Sequence, residues 1–87
     1  MKKIICAVYD SQAQVYGQPI FTPTKGTAIR AFTDEVNNVY ETNQMNKHPS
    51  DFALFQLGEY DDNEGSIVSV QTPIKLLTAL EAKTPNM

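Results

Sequence analysis

The sequence predicts an α+β fold: a small mixed sheet of three or four strands with two helices packed mainly on one of its faces. Three observations predict it. Residues 51–70 hold two apolar runs separated by Asp61, Asp62, Asn63, Glu64 and Gly65, the pattern of a β-hairpin with a glycine-closed turn. The run Ile4-Ile-Cys-Ala-Val8 is continuous rather than alternating, which suits a central strand covered on both faces. Ile29, Phe32, Val36, Val39 and Tyr40 recur at helical spacing and form one apolar stripe.

Each element has a local reason. Strand one covers residues 2–9. Asp10 to Gln18 is polar and reads as a loop, in which the Asp10 carboxylate can bond its own backbone two residues on. Residues 19–22 are extended and bounded by Pro19 and Pro23, so they form at best a short edge strand. Thr24 is a fitting N-cap for a helix over 25–39, with Thr22 as second candidate. Glu41 to Ser50 is a polar connection. The hairpin pairs 52–58 with 66–71. In its first strand Phe52, Leu54 and Gln56 face one way and Ala53, Phe55 and Leu57 the other, and Gly58 marks a bulge. Thr72-Pro73 supplies a cap and a first helical residue. Ile74, Leu76, Leu77 and Leu80 then give a helix over 73–83, closed by Pro85. The chain order is strand, strand, helix, strand, strand, helix. A helix between strand one and the hairpin favours a crossover with parallel pairing. With helices on one face, the other stays apolar and open, which predicts a homo-oligomer or a protein partner over it.

Size and composition bound the function. The 87 residues make one domain over 1–87; such a domain buries one modest core and has no room for a deep cavity as well. The longest apolar run falls far short of a membrane span, so a soluble protein is expected. Ten acidic residues face seven basic ones, for a net charge of −3. That balance argues against a strong phosphate-binding surface, because nonspecific nucleic-acid affinity comes from Lys and Arg. Cys6 stands alone and sits within an apolar strand, where a thiol behaves as a small buried hydrophobe.

His48 is the single histidine and has no partner at metal-ligand spacing. The Asp61–Glu64 cluster fails the spacing of a calcium loop, since Ser66 and Thr72 stand where a glycine and a bidentate glutamate are required. Neither nucleophilic triad nor metal cluster can be assembled from one His and one Cys, so no enzyme, cofactor or metal is expected. Lys25 and Gly26 open a helix, where free backbone N–H groups attract anions. Tyr9, Tyr16 and Phe21 lie near Lys25 and Arg30, the one grouping of aromatic and basic residues that suits stacking on single-stranded bases. Tyr16, Lys25, Arg30 and Lys47 are the candidate contacts to nucleic acid or a partner.

Several fragments carry a family resemblance: Met1-Lys-Lys-Ile-Ile-Cys-Ala-Val-Tyr-Asp10, Ala13, Tyr16-Gly-Gln-Pro19, Ala28-Ile-Arg-Ala-Phe32 with Asp34-Glu-Val36, and His48-Pro-x-Asp-Phe-Ala-Leu-Phe-x-Leu-Gly58 with Tyr60-Asp61-Asp62. In order and spacing, from Met1 to about Gly65, they resemble the small nonstructural protein of gokushovirus-type microviruses, tailless phages with a circular single-stranded DNA genome. The resemblance implies a protein of the host bacterial cytoplasm that is not a virion component. It also implies a non-enzymatic role in the switch from duplex replication to single-stranded genome synthesis and packaging. The acidic balance suits action through a phage or host replication protein or a procapsid protein. The alternative is a weak single-stranded DNA-binding protein that uses Tyr16, Lys25, Arg30 and the open sheet face.

Overall fold

A computed structural model of the chain describes residues 1–84. Five strands and three helices occur in the order β1 (Lys2–Asp10), β2 (Val15–Tyr16), β3 (Ile20–Thr22), α1 (Lys25–Val36), α2 (Gln44–Lys47), β4 (Phe52–Asp61), β5 (Ser66–Thr78) and α3 (Ala79–Ala82), with a 3-10 turn at Pro49–Asp51 before β4. The strands make one sheet. β1 is central, β4 lies on one side of it and β5 beyond β4, while β2 and β3 share β1's other side.

Every pairing is antiparallel, which corrects the mixed sheet of three or four strands. The crossover rule still applies, but to a different pair. β3 and β4 both run against β1 on its two sides, so they run parallel to each other with β1 between them. The α1 crossover joins those two strands, and the rule could not say that a third strand separates them. β2 arises within residues read as loop. The Asp10 carboxylate accepts from the backbone N–H groups of Gln12 (3.0 Å) and Ala13 (3.2 Å) and turns the chain back so that Tyr16 pairs with Tyr9.

The hairpin is present and longer than expected. Gly65 takes a φ of 66°, a left-handed conformation natural to glycine, and its N–H closes the turn onto the Asp61 carbonyl at 2.8 Å. The helix expected over 73–83 is replaced by strand as far as Thr78. Ile74 stands opposite Gln56, Lys75 opposite Phe55 and Leu77 opposite Leu54. A short apolar run cannot by itself separate helix from strand, and the ladder with β4 decides. Pro73 is tolerated because it lies in the unpaired stretch between Ser69 and Ile74. The real helix start is Thr78-Ala-Leu-Glu81. The Thr78 hydroxyl accepts from the Glu81 N–H at 3.0 Å, and the Glu81 carboxylate accepts from the Thr78 N–H at 3.0 Å, a capping box. The Thr78 N–H and the Thr78 hydroxyl, which donates to the same carboxylate oxygen at 2.8 Å, hold the Glu81 carboxyl below the usual carboxylate range. The expected stop at Pro85 lies outside the described residues.

Helix α1 starts as expected, with the Thr24 hydroxyl accepting from Thr27 N–H at 3.1 Å, but it ends at Val36 rather than residue 39. Val39 and Tyr40 consequently leave the apolar stripe and are exposed. Asparagine side chains gather on the carbonyls of the last turn, where the regular ladder of helix hydrogen bonds ends. Asn37 Nδ2 donates to the Thr33 carbonyl (2.9 Å), Asn43 Nδ2 to that of Glu35 (2.9 Å) and Asn46 Nδ2 to that of Val36 (3.0 Å). Asn37 also ties this helix end to α3, by donating to the Ala82 carbonyl at 3.0 Å and accepting from the Thr84 N–H at 2.8 Å. Asn43 is 3% exposed, and its amide also donates to the Asn38 carbonyl at 2.7 Å, so losing it removes two bonds that tie the following chain to the helix end. Asn43→Ala is expected to cost about 1–3 kcal/mol in urea unfolding. Asn43→Asp, which keeps the shape and loses the donors, should cost no less.

The main core cluster lies on one side of the sheet. Ala28, Phe32 and Val36 of α1 and Ala79 and Ala82 of α3 close over Cys6 and Leu54, with Met45 of α2, Ile4, Val8, Phe52 and Leu77 packed around them. Burial pushes the Cys6 thiol above its ordinary value, which makes it less nucleophilic. All three helices contribute to this layer, one more than the two expected, and the other face of the sheet carries none of their core residues.

Candidate functional site

Paired residues in a β-ladder point to the same face, and successive residues to opposite faces. The register therefore defines the uncovered face. Cys6 and Leu54 point into the helical layer, so Lys3, Ile5, Ala7 and Tyr9 of β1 point away from it. The same face receives Tyr16 opposite Tyr9, Phe21 opposite Ile5, Phe55 opposite Ala7, and Tyr60 opposite Lys3. From β5 it receives Ile67, Ser69, Lys75 and Thr78. Every aromatic side chain of the protein except Phe32, Tyr40 and Phe52 is on this surface.

The rings form two groups. Tyr9, Tyr16 and Phe55 meet with centroids 4.7, 6.2 and 5.8 Å apart, two of the three contacts edge-to-face. Phe21 and Tyr60 make a second edge-to-face pair at 5.7 Å. Such geometries are favourable for aromatic quadrupoles, and they hold the rings without a helix above them. Ile5 and Ala7 lie beneath, 8% and 1% exposed, while Tyr16 and Phe21 remain 41% and 49% exposed. A shallow groove of about 290 Å³ runs beside the first group, over Tyr9, Ala53, Phe55, Lys75 and Thr78, with Asp51 at its rim.

A bulge determines the charge of this face. β4 pairs Gln56 with Cys6 and Gly58 with Ile5, so Leu57 is an extra residue in the ladder. The bulge expected at Gly58 is present, and its consequence is a change of parity. Beyond it, Gly58 and Tyr60 point to the open face, while Glu59 and Asp61 go to the helical side opposite Ile4 and Lys2. If Leu57 instead took a regular place in the ladder opposite Ile5, strict alternation would turn both carboxylates to the side of the rings. As built, the sheet positions on the open face hold Lys3 and Lys75 and no acid, in a chain with a net charge of −3.

Of the four residues singled out from sequence, only Tyr16 is on this surface. Lys25 and Arg30 are exposed on α1 and Lys47 on α2, both in the helical layer, so the structure does not bring them to Tyr16. Sequence proximity misled because α1 crosses to the opposite face immediately after β3. Tyr9 and Phe21, grouped with Tyr16 from sequence, do join it. Phe55, Tyr60, Lys3 and Lys75 were missed. Alternation in β4 carries the signal for Phe55, whereas Tyr60 needs the bulge and Lys75 needs β5 to be a strand.

Among the described residues, no group of three or more His, Cys, Asp and Glu could hold a metal ion, and no helix is long and apolar enough to cross a membrane. No curated protein and no solved structure matches the chain. Residues 3–82 match the model of a family described as Phage ORF5 protein, a span that takes in the aromatic face from Lys3 to Thr78. The chain belongs to the Phage ORF5 protein family.

Proposed function

We propose that this phage protein is a non-enzymatic binder of single-stranded nucleic acid, and that bases stack on the open sheet face. The observation that carries the reading is the combination on one face of five aromatic rings, two lysines and no carboxylate at any of its sheet positions, in a chain whose acids outnumber its bases. Bases present a π-face to an aromatic ring whatever their identity, and each stacked base contributes about 1–3 kcal/mol. Phosphates tolerate lysines nearby and are repelled by carboxylates, so keeping Glu59 and Asp61 off this side matters as much as the lysines do. Duplex DNA keeps its bases stacked on each other and offers the face little.

The resemblance to gokushovirus-type microvirus proteins, together with the phage family match, supports a place for this activity. The protein would hold displaced or nascent single strands during the switch from duplex replication to single-stranded genome synthesis and packaging. It would do so in the host bacterial cytoplasm and outside the virion. The excess of acid elsewhere on the surface favours a second reading, in which the same face docks a phage or host replication protein or a procapsid protein.

Fluorescence anisotropy of a labelled oligonucleotide at two salt concentrations tests the first reading. With two lysines on the face, log affinity should fall with log salt at a slope of about −1.4. Tyr16→Ser and Phe21→Ser, both at exposed positions, should each weaken binding about tenfold. Absence of binding at low salt would eliminate the proposal. So would binding that survives both substitutions and disappears on replacing Lys25, Arg30 and Lys47. Loss of a co-purifying partner on Tyr16→Ser, with no oligonucleotide binding by the wild type, is the result that selects the second reading.

A further inference from the structure

The geometry points to a homodimer formed by antiparallel pairing of the free edge of β5, through residues 66–72, with the same edge of a second copy. The two outer edges of the sheet differ. The β2–β3 edge is two short pieces separated by Gly17, Gln18 and Pro19, a break that blunts it. β5 runs for 13 residues and pairs only with β4 among the described residues. Its second half carries Pro73 and Lys75, both common devices against edge pairing. Ser66-Ile-Val-Ser-Val-Gln-Thr72 carries neither charge nor proline. Ile67 and Val68 are 63% and 66% exposed there. Proteins that stay monomeric seldom leave a β-branched, uncharged edge open.

A second copy fits this edge by charge and by symmetry. Pairing centred on Val68 sets Ile67 beside the partner's Ser69 and Ser66 beside the partner's Val70, with no like charges opposed. It directs the acidic turn at Asp61, Asp62 and Glu64 toward the half of the other copy that carries Lys75. Because paired residues share a face, the aromatic surfaces of both copies come to lie on the same side of one continuous sheet. The inference stands on the edge alone and holds whether or not that surface binds nucleic acid. An edge this short implies a reversible dimer.

Sedimentation equilibrium over a concentration series tests it, with circular dichroism to confirm that each variant is folded. The wild type should dimerise, and Val68→Lys should be monomeric. Tyr16→Ser should dimerise like the wild type, since its ring lies away from this edge. Hydrogen exchange on the wild type gives a readout that needs no variant: amides of residues 66–70 should gain protection as concentration rises. A wild type that stays monomeric throughout the series would overturn the proposal. A dimer that survives both Val68→Lys and Ile67→Lys, or one that Tyr16→Ser dissolves, would also overturn it, the last by placing the interface on the aromatic face.

Discussion

Gly58→Ala is expected to lower stability by about 3 kcal/mol or more, toward the upper end for an added methyl group in a packed interior. A Cβ at this position would stand 2.3 Å from the Val68 carbonyl oxygen and 3.1 Å from Ser69 Cα. Both are backbone atoms, so no rotamer change relieves the contact. β5 would have to move away from β4 where Gly58 pairs with Ser69 and Glu59 with Val68. Gly58 is also the residue at which the bulge returns β4 to register with both neighbours. For a domain of this size the loss corresponds to a fall in melting temperature on the order of 15 °C. Thermal and urea unfolding check it. A loss below about 1 kcal/mol would mean that the β4–β5 contact is looser than this geometry and that the bulge does not depend on glycine.

The same site marks the boundary between what the sequence reveals and what it hides. Features fixed by neighbours in the chain are legible: the Thr24 cap, the Asp10 turn, the glycine-closed hairpin, the bulge itself and the concentration of helices on one face. Features fixed by distant pairing are not. The bulge could be placed from Gly58, but its effect on Glu59 and Tyr60 follows only once β1 supplies a register. Thr72-Pro73 is as good a helix start, taken locally, as Thr78 with Glu81, and only the pairing of Ile74 and Leu77 with Gln56 and Leu54 rejects it. The asparagines at 37, 43 and 46 look like loop residues because their partners, carbonyls of the last turn of α1, come within reach only once the helix end and the chain after it are in place. The aromatic face is the largest loss. Its rings come from four strands: Tyr9, Tyr16 and Phe21 are near one another in the chain, but Phe55 and Tyr60 join them only through the pairing of β4 with β1.

Leu54 and Phe55 are neighbours in the chain and point to opposite faces, so their substitutions should separate stability from binding. Leu54 is fully buried, set between Val8 of β1 and Leu77 of β5 in the cluster that holds Phe32, Val36 and Ala79. With Val36 and Cys6 it is among the largest side chains that are completely enclosed. Leu54→Ala removes contacts that such a small core cannot replace, and should cost about 2–5 kcal/mol. That is a large share of the roughly 5–15 kcal/mol of a typical domain. At temperatures where it remains folded, its oligonucleotide affinity should match the wild type. Phe55→Ala removes a half-buried ring from the other face, where its edge-to-face contacts with Tyr9 and Tyr16 contribute about 0.5–1.5 kcal/mol each beyond area burial. Its stability loss should be the smaller of the two, and its binding loss at least as large as that of Tyr16→Ser, because the substitution removes one ring and releases two others. Urea unfolding and anisotropy on both variants, at a temperature where both are folded, make the comparison. If Leu54→Ala weakened binding as much as Phe55→Ala did, the helical layer and not the open face would be where the ligand sits. If Phe55→Ala bound normally, the stacking surface would have to exclude the ring at its centre, and the proposed function would fail with it.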